Sequence, residues 1–145
     1  MTFGPNCIAL VKEFESLRLE AYPDPGTGAE PFTIAYGHVP AVPGQTITEA
    51  AAEVLLMHDL TFACENVLRW FAGVNLAQGM LDALTSLSMN VGSIPVVAPK
   101  LTADVREGNF ADAAVQFLDI DRDENGRVLP GLERRRQAES TLFST

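Results

Sequence analysis

The strongest constraint on how this chain folds lies between Phe14 and His38, where the hydrophobic period changes twice in a short space. Upstream, Ile8, Val11 and Phe14 recur at helical spacing with Leu10 and Leu17 alongside, and Pro5 suits a first turn, so residues 5–16 are expected as a helix. Then Leu17, Leu19 and Ala21 alternate with Arg18, Glu20 and Tyr22, a period of two. A loop dense in Pro and Gly follows from Pro23 to Pro31, and a second strand-like run, Phe32 to Tyr36, ends at Gly37. The pattern puts Glu15 at a helix end, Asp24 in a turn and Thr33 on a returning strand. A hairpin would bring all three to one side of a cleft.

The remainder reads as helices. Val39 to Gly44 is expected as an extended connection, and Thr48 is a good N-cap with Glu49 at the positive helix end. From Glu49 to Phe71 no Pro or Gly interrupts a pattern built on Val54, Leu55, Leu60, Phe62, Val67, Leu68 and Phe71. Such a helix would be roughly 34 Å long, enough to join two lobes, with Gly73 as its stop. Asn75 with Gln78 reads as a capping box, and Leu76, Met80, Leu81, Leu84, Leu87, Met89 and Val91 mark a strongly buried central helix. Shorter helices are expected over Val97–Glu107 (ended by Gly108), Phe110–Leu118 (capped by Asn109) and Gly131–Phe143. The expected fold class is therefore α+β and mostly helical. Residues 15–48 form a small hairpin lobe and 49–71 a linking helix. Residues 72–145 join 1–14 in a larger helical lobe, and the whole chain makes one domain.

Composition narrows the function. A chain of 145 residues with 47% hydrophobic residues can bury a sizeable core, and with a formal net charge of −9 a nucleic-acid footprint is not expected. The charge is uneven: residues 1–99 hold three basic and ten acidic residues, residues 100–145 seven and nine. Contact with an acidic polymer would then fall near Arg134, Arg135 and Arg136. Cys7 and Cys64 sit in apolar helical patterns and read as buried free thiols. No basic region followed by an apolar run opens the chain, and no stretch approaches ~20 apolar residues, so neither a signal peptide nor a membrane anchor is expected.

The three polar residues suit glycoside hydrolysis. That reaction needs one carboxylic acid to protonate the leaving oxygen and a second group to activate water or attack the sugar. The two must differ in environment. Glu15, between Phe14 and Leu17, is placed for partial desolvation, which raises a carboxyl pKa. Asp24 lies in a prolyl turn, more solvated, and Thr33 offers a hydroxyl to hold the water.

The run Glu15-Ser16-Leu17-Arg18-Leu19-Glu20-Ala21-Tyr22, then Asp24, then Thr33-Ile34-Ala35-Tyr36-Gly37-His38, resembles the phage-type lysozymes, the endolysins of glycoside hydrolase family 24. Residue by residue, the resemblance implies Glu15 as the acid, Asp24 as the second carboxylate, Thr33 as the hydroxyl and His38 as the closing histidine. It implies a lysozyme-like two-lobed fold. It also implies a muramidase that cleaves the β-1,4 bond between N-acetylmuramic acid and N-acetylglucosamine with inversion. The carboxyl groups would then stand roughly 6.5–9.5 Å apart. Asn90-Val91-Gly92 resembles the family's Asn-Val-Gly at the cleft floor, which makes Asn90 a sugar-binding candidate. Leu129-Pro130-Gly131-Leu132-Glu133-Arg134-Arg135-Arg136 resembles its closing run, whose arginines either bind substrate or support the fold; a structural role is expected for two of the three. By the same resemblance His38 pairs with an acid on the long helix, and Asp59 falls in that place. The implied partner is bacterial peptidoglycan. The protein would be a monomer made in the host cytoplasm that reaches the wall with the help of another agent.

Three departures stand out. Ser16 replaces a usual Gly, Ala35 replaces the first Gly of the second strand, and the turn after Asp24 is longer than in the shortest members. The small-for-small changes are absorbed unless the glycine needed positive φ. The rival readings are a lytic transglycosylase and a sugar-binding module without catalysis. No cofactor is implied. Asp121, Asp123, Asn125 and Gly126 imitate a calcium loop, but Leu132 stands where a bidentate Glu is required, so a polar surface turn is expected. No zinc motif joins His38 and His58.

Overall fold

The computed structural model describes residues 1–122 and 125–145. Helix α1 (Pro5–Phe14) opens on proline, whose missing N–H costs nothing in a first turn. Its buried face is Cys7, Leu10 and Val11. The buried Asp82 accepts from the Gly4 N–H at 2.7 Å and from the Gln78 amide at 2.8 Å, fastening the start of α1 to the centre of the molecule. The helix stops at Phe14 because Glu15 turns to extended backbone, φ −102° and ψ 109°.

Three antiparallel strands follow in the order β1 (Arg18–Tyr22), β2 (Phe32–Ala35) and β3 (His38–Ala41). The hairpin is thus part of a sheet, and β3 occupies a stretch expected as mere connection. Pro40 is tolerated there because β3 lies at the sheet edge. The other edge, β1, is covered by residues 45–47: the Ala21 N–H donates to the Gln45 carbonyl and the Ile47 N–H to the Leu19 carbonyl, each at 2.9 Å. The β2–β3 turn is tight. Ile34 pairs with His38, and the residues between include Ala35 at φ +60° and Gly37 at φ +73°.

Helix α2 (Glu49–Trp70) is capped as expected, the Thr48 hydroxyl accepting from the Ala51 N–H at 3.1 Å. Its 22 residues span about 33 Å. Its buried stripe is Ala52, Leu56, Leu60, Ala63, Cys64 and Val67. Val54 and Phe62, expected inside, are 69% and 63% exposed. Each lies two residues, about 200° of helix rotation, from Leu56 and Leu60, which set the phase of the stripe.

Two hydrophobic clusters result. Ile34, Ala35 and Ala52 form a small one with Leu17, Ala21 and Leu55 against it. The larger gathers Val11, Leu60, Val67, Phe71, Leu84, Leu87, Ile94, Phe117 and Phe143. Tyr36 packs on both, and α2 contributes to each. Helix α3 (Gln78–Val91) crosses the large cluster, with Leu81, Ala83, Leu84 and Leu87 fully buried. It begins at Gln78, so Asn75 is not its cap; the Gln78 side chain donates instead to the Thr2 carbonyl and to Asp82.

The rest of the chain wraps α3. The helix expected over Val97–Glu107 is α5 (Pro99–Glu107), and a short unexpected helix α4 (Ile94–Val97) precedes it; the two are separate because a residue before proline avoids helical backbone and Ala98 sits at φ −132°. Helix α6 (Phe110–Gln116) runs into a 3₁₀ turn at Phe117–Asp119. Its start has no side-chain cap: Asn109, expected to supply one, instead donates its amide N–H to Glu107 at 3.2 Å. Helix α7 (Pro130–Phe143) closes the chain against α3. Cys7 and Cys64 are free and buried. No helix among the described residues is long and apolar enough to cross a membrane. Asp123, invoked for the calcium-like pattern, lies outside the described residues.

Candidate active site

Glu15 stands just past the end of α1 with its side chain 24% exposed. Two neighbours fix it. Arg135 of α7 donates from Nη1 to Oε1 at 2.9 Å. On the other side the β2–β3 turn presses so close that a Cβ at Gly37 would lie 2.6 Å from Oε2. Gly37 is therefore required twice, for its left-handed backbone and for the space it leaves.

Behind Glu15 the polar chain continues inward. Arg135, only 3% exposed, also donates from Nη2 to the Ser86 carbonyl at 3.1 Å and reaches Glu139 at 3.5 Å from Nε. Glu139 has no exposed surface and accepts from Ser86 Oγ at 2.5 Å and from Arg136. Arg136 in turn donates to the Ile120 carbonyl at 2.8 Å and to Asn90 Oδ1. Burial lowers the Arg136 guanidinium's hold on its proton, and the Glu139 carboxylate opposes that loss. A structural role is expected for two of the three arginines, and Arg135 and Arg136 are the interior ones; of the three, only Arg134 is exposed and able to meet an acidic polymer.

An open groove of about 580 Å³ lies over this array, walled by Glu13, Phe14, Glu15, Asn90, Leu129, Leu132, Arg134 and Arg135. The structure therefore brings Glu15 and Asn90 into one groove, with the Asn90 carbonyl oxygen accepting from Arg136. Asp24 and Thr33 both belong to the β1–β2 hairpin and are not among the walls of that groove. Thr33 pairs with Tyr22 across the β1–β2 ladder, two residues before Asp24. The turn holds Asp24 through its Oδ1, which accepts from the Gly26 N–H at 2.7 Å. Asp24 Oδ2 and the Thr33 hydroxyl make no hydrogen bond among the described residues, so both are available to water.

His38, first residue of β3, lies with Nδ1 2.7 Å from Asp59 Oδ2 of α2, both side chains 23% exposed. This contact ties the sheet to the long helix beside the β2–β3 turn. His58 is a surface residue, 76% exposed, 3.6 Å from the other Asp59 oxygen. No group of three or more His, Cys, Asp or Glu side chains among the described residues could hold a metal ion.

Sequence reasoning named Arg135 only as one of three arginines and missed Gly37, Ser86 and Glu139. Two signals were present. Arg135 and Arg136 stand four and three residues before Glu139, the spacing at which helix side chains meet. Gly37 closes a strand run directly before the histidine.

Residues 12–139 match the Phage lysozyme family. The endolysin of Bacillus phage B103 is 38% identical over 147 aligned residues, but this chain spans only 55% of its length. The endolysin of Acyrthosiphon pisum secondary endosymbiont phage 1 is 33% identical, with 100% of this chain and 99% of that protein aligned. Among solved structures, the muramidase domain of SpmX from Asticaccaulis excentricus superposes with a TM-score of 0.88 at 33% identity, covering 99% of this chain and 98% of that one.

Proposed function

The chain belongs to the phage lysozyme family, and from that premise we propose that it is a peptidoglycan hydrolase, a muramidase that cleaves the β-1,4 bond between N-acetylmuramic acid and N-acetylglucosamine. The observation that carries this reading is a carboxyl group gripped on one oxygen by Arg135 and bounded on the other by Gly37, at the wall of an open groove.

In the proposed reaction Glu15 donates a proton to the glycosidic oxygen as the bond to the leaving sugar breaks. Asp24 and Thr33 hold a water on the opposite face of the ring. Asp24 takes the water's proton as its oxygen attacks the anomeric carbon, which inverts that centre. The Asn90 amide donates to a sugar hydroxyl or acetamido carbonyl. The Asn90–Arg136 contact fixes which end of the amide faces the groove. His38 and Asp59 hold the sheet, and with it Asp24 and Thr33, at a fixed distance from the helices. Acting on the wall, the protein would serve as a phage endolysin, working as a monomer and made in the host cytoplasm before release.

The test is turbidity clearance of purified sacculi by wild type and Glu15→Gln. The variant should keep the fold by circular dichroism and lose at least about a thousandfold in rate, the scale of a missing proton donor plus its transition-state contact. Clearance by Glu15→Gln at the wild-type rate would overturn the assignment. Mass spectrometry of the products should show hydrated reducing ends; anhydro-muramic ends would establish the transglycosylase reading instead.

A further inference from the structure

One buried carboxylate governs both guanidinium groups that reach the site. Arg135, Arg136 and Glu139 share a face of α7 through their spacing, and all three are at most 3% exposed. Together with Glu15 and Asn90 they form an alternating chain. Glu15 accepts from Arg135, Arg135 reaches Glu139, Glu139 accepts from Arg136, and Arg136 holds Asn90. Ser86 of α3 braces its middle, donating its hydroxyl to Glu139 and accepting Arg135 on its carbonyl. The chain balances two guanidinium charges with two carboxylates. A buried charge without a partner is costly, so removing the inner carboxylate must change what the outer ones do.

We propose that Glu139 is a positioning residue for the reaction: it shares Arg135 with Glu15 and aims Arg136 at Asn90, thereby setting how Arg135 is divided between the inner carboxylate and the acid. This inference rests on the hydrolytic reading above and adds to it a residue that never meets substrate. Its reasoning is electrostatic. With Glu139 charged, Arg135 divides its attraction between two carboxylates. With Glu139 neutral, Arg135 has Glu15 alone and holds its ionised form more tightly. The rate then falls on the alkaline side. Other charges face these groups. Glu13 and Arg134 share the groove wall with Glu15. Asp121 acts on Arg136, and Asp82 lies close enough to act with Glu139 on Cys7. The substitution leaves all of them in place.

The experiment is a kcat/KM profile against pH on soluble peptidoglycan fragments for wild type and Glu139→Gln. The alkaline limb should move down by about one pH unit, with a roughly tenfold loss of kcat above neutrality and KM within about threefold. Glu139→Asp, which keeps the charge, should restore most of that shift even if its Tm is lower. Ser140→Ala, on α7 like Glu139, loses a 2.7 Å bond to the Ala114 carbonyl of α6; it should lower Tm and leave the limb alone. If Glu139→Gln does not fold, the double variant Arg136→Met with Glu139→Gln removes the inner pair as a unit, and it should show the same displacement. An unmoved limb in the folded variant overturns the proposal while hydrolysis by wild type stands. A wild type that releases no reducing ends removes the hydrolytic reading itself.

Discussion

Gly37 meets two demands that no other residue can meet together. Its φ of +73° is left-handed, and a Cβ would collide with the Glu15 carboxylate at 2.6 Å. Gly37→Ala should therefore cost about 1–2 kcal/mol of stability for the backbone alone, measurable by urea denaturation. Its effect on clearance of sacculi should be larger, because Glu15 must move to make room; a variant with wild-type rate would show that the close approach is idle. Ala35 is the complementary case. It stands where the resembling family has glycine, and it is the one non-glycine residue at positive φ among those described. A change read as small-for-small is a strained one. Ala35→Gly should raise stability by roughly 0.5 kcal/mol, the relief of strain less the entropy that glycine brings. A fall in Tm would refute this. The sequence alone could not reveal it, because φ at a turn depends on how β2 and β3 pair.

At the scale of elements, α2 shows how much was readable. Its bounds followed from Thr48 at one end and Gly73 beyond the other, both local signals. Its buried face did not follow, since Val54 and Phe62 are apolar and outside while Ala52 and Ala63 are small and inside. Only the partners of a helix decide its phase. The third strand was missed for the same reason: Val39-Pro40-Ala41 carries no alternation, and its pairing with Phe32 and Ile34 is set by the turn. The candidate site divides likewise. Glu15, Asp24 and Thr33 could be proposed from one contiguous stretch, whereas Arg135 meets Glu15 from 120 positions away. The cap on α2 gives a clean test. Thr48→Ala should lose about 1 kcal/mol by urea denaturation, and the loss should shrink to a few tenths in Thr48→Gly.

For the whole molecule, stability should fall on the alkaline side. Burial pushes the Cys7 thiol up from 9.0 to about 12, the charge of Asp82 adding to the effect. The hydrogen bond to Glu53 also raises Lys12 above its ordinary value. Both groups hold their protons more firmly folded than unfolded. Their contribution is complete below the unfolded pKa of each and drains away as pH climbs through the folded one. Thermal unfolding should thus show a loss of a few kcal/mol between about pH 9 and 12, carried mainly by the fully buried thiol. Cys7→Ala should flatten that decline; an equally steep one would place its cause elsewhere. The same burial has a second consequence. With both sulfur atoms shut inside and unjoined, neither glutathione nor air has anything to exchange with. Preparations made with or without reductant should be one covalent species, and Ellman's reagent should find two thiols only after the protein is denatured.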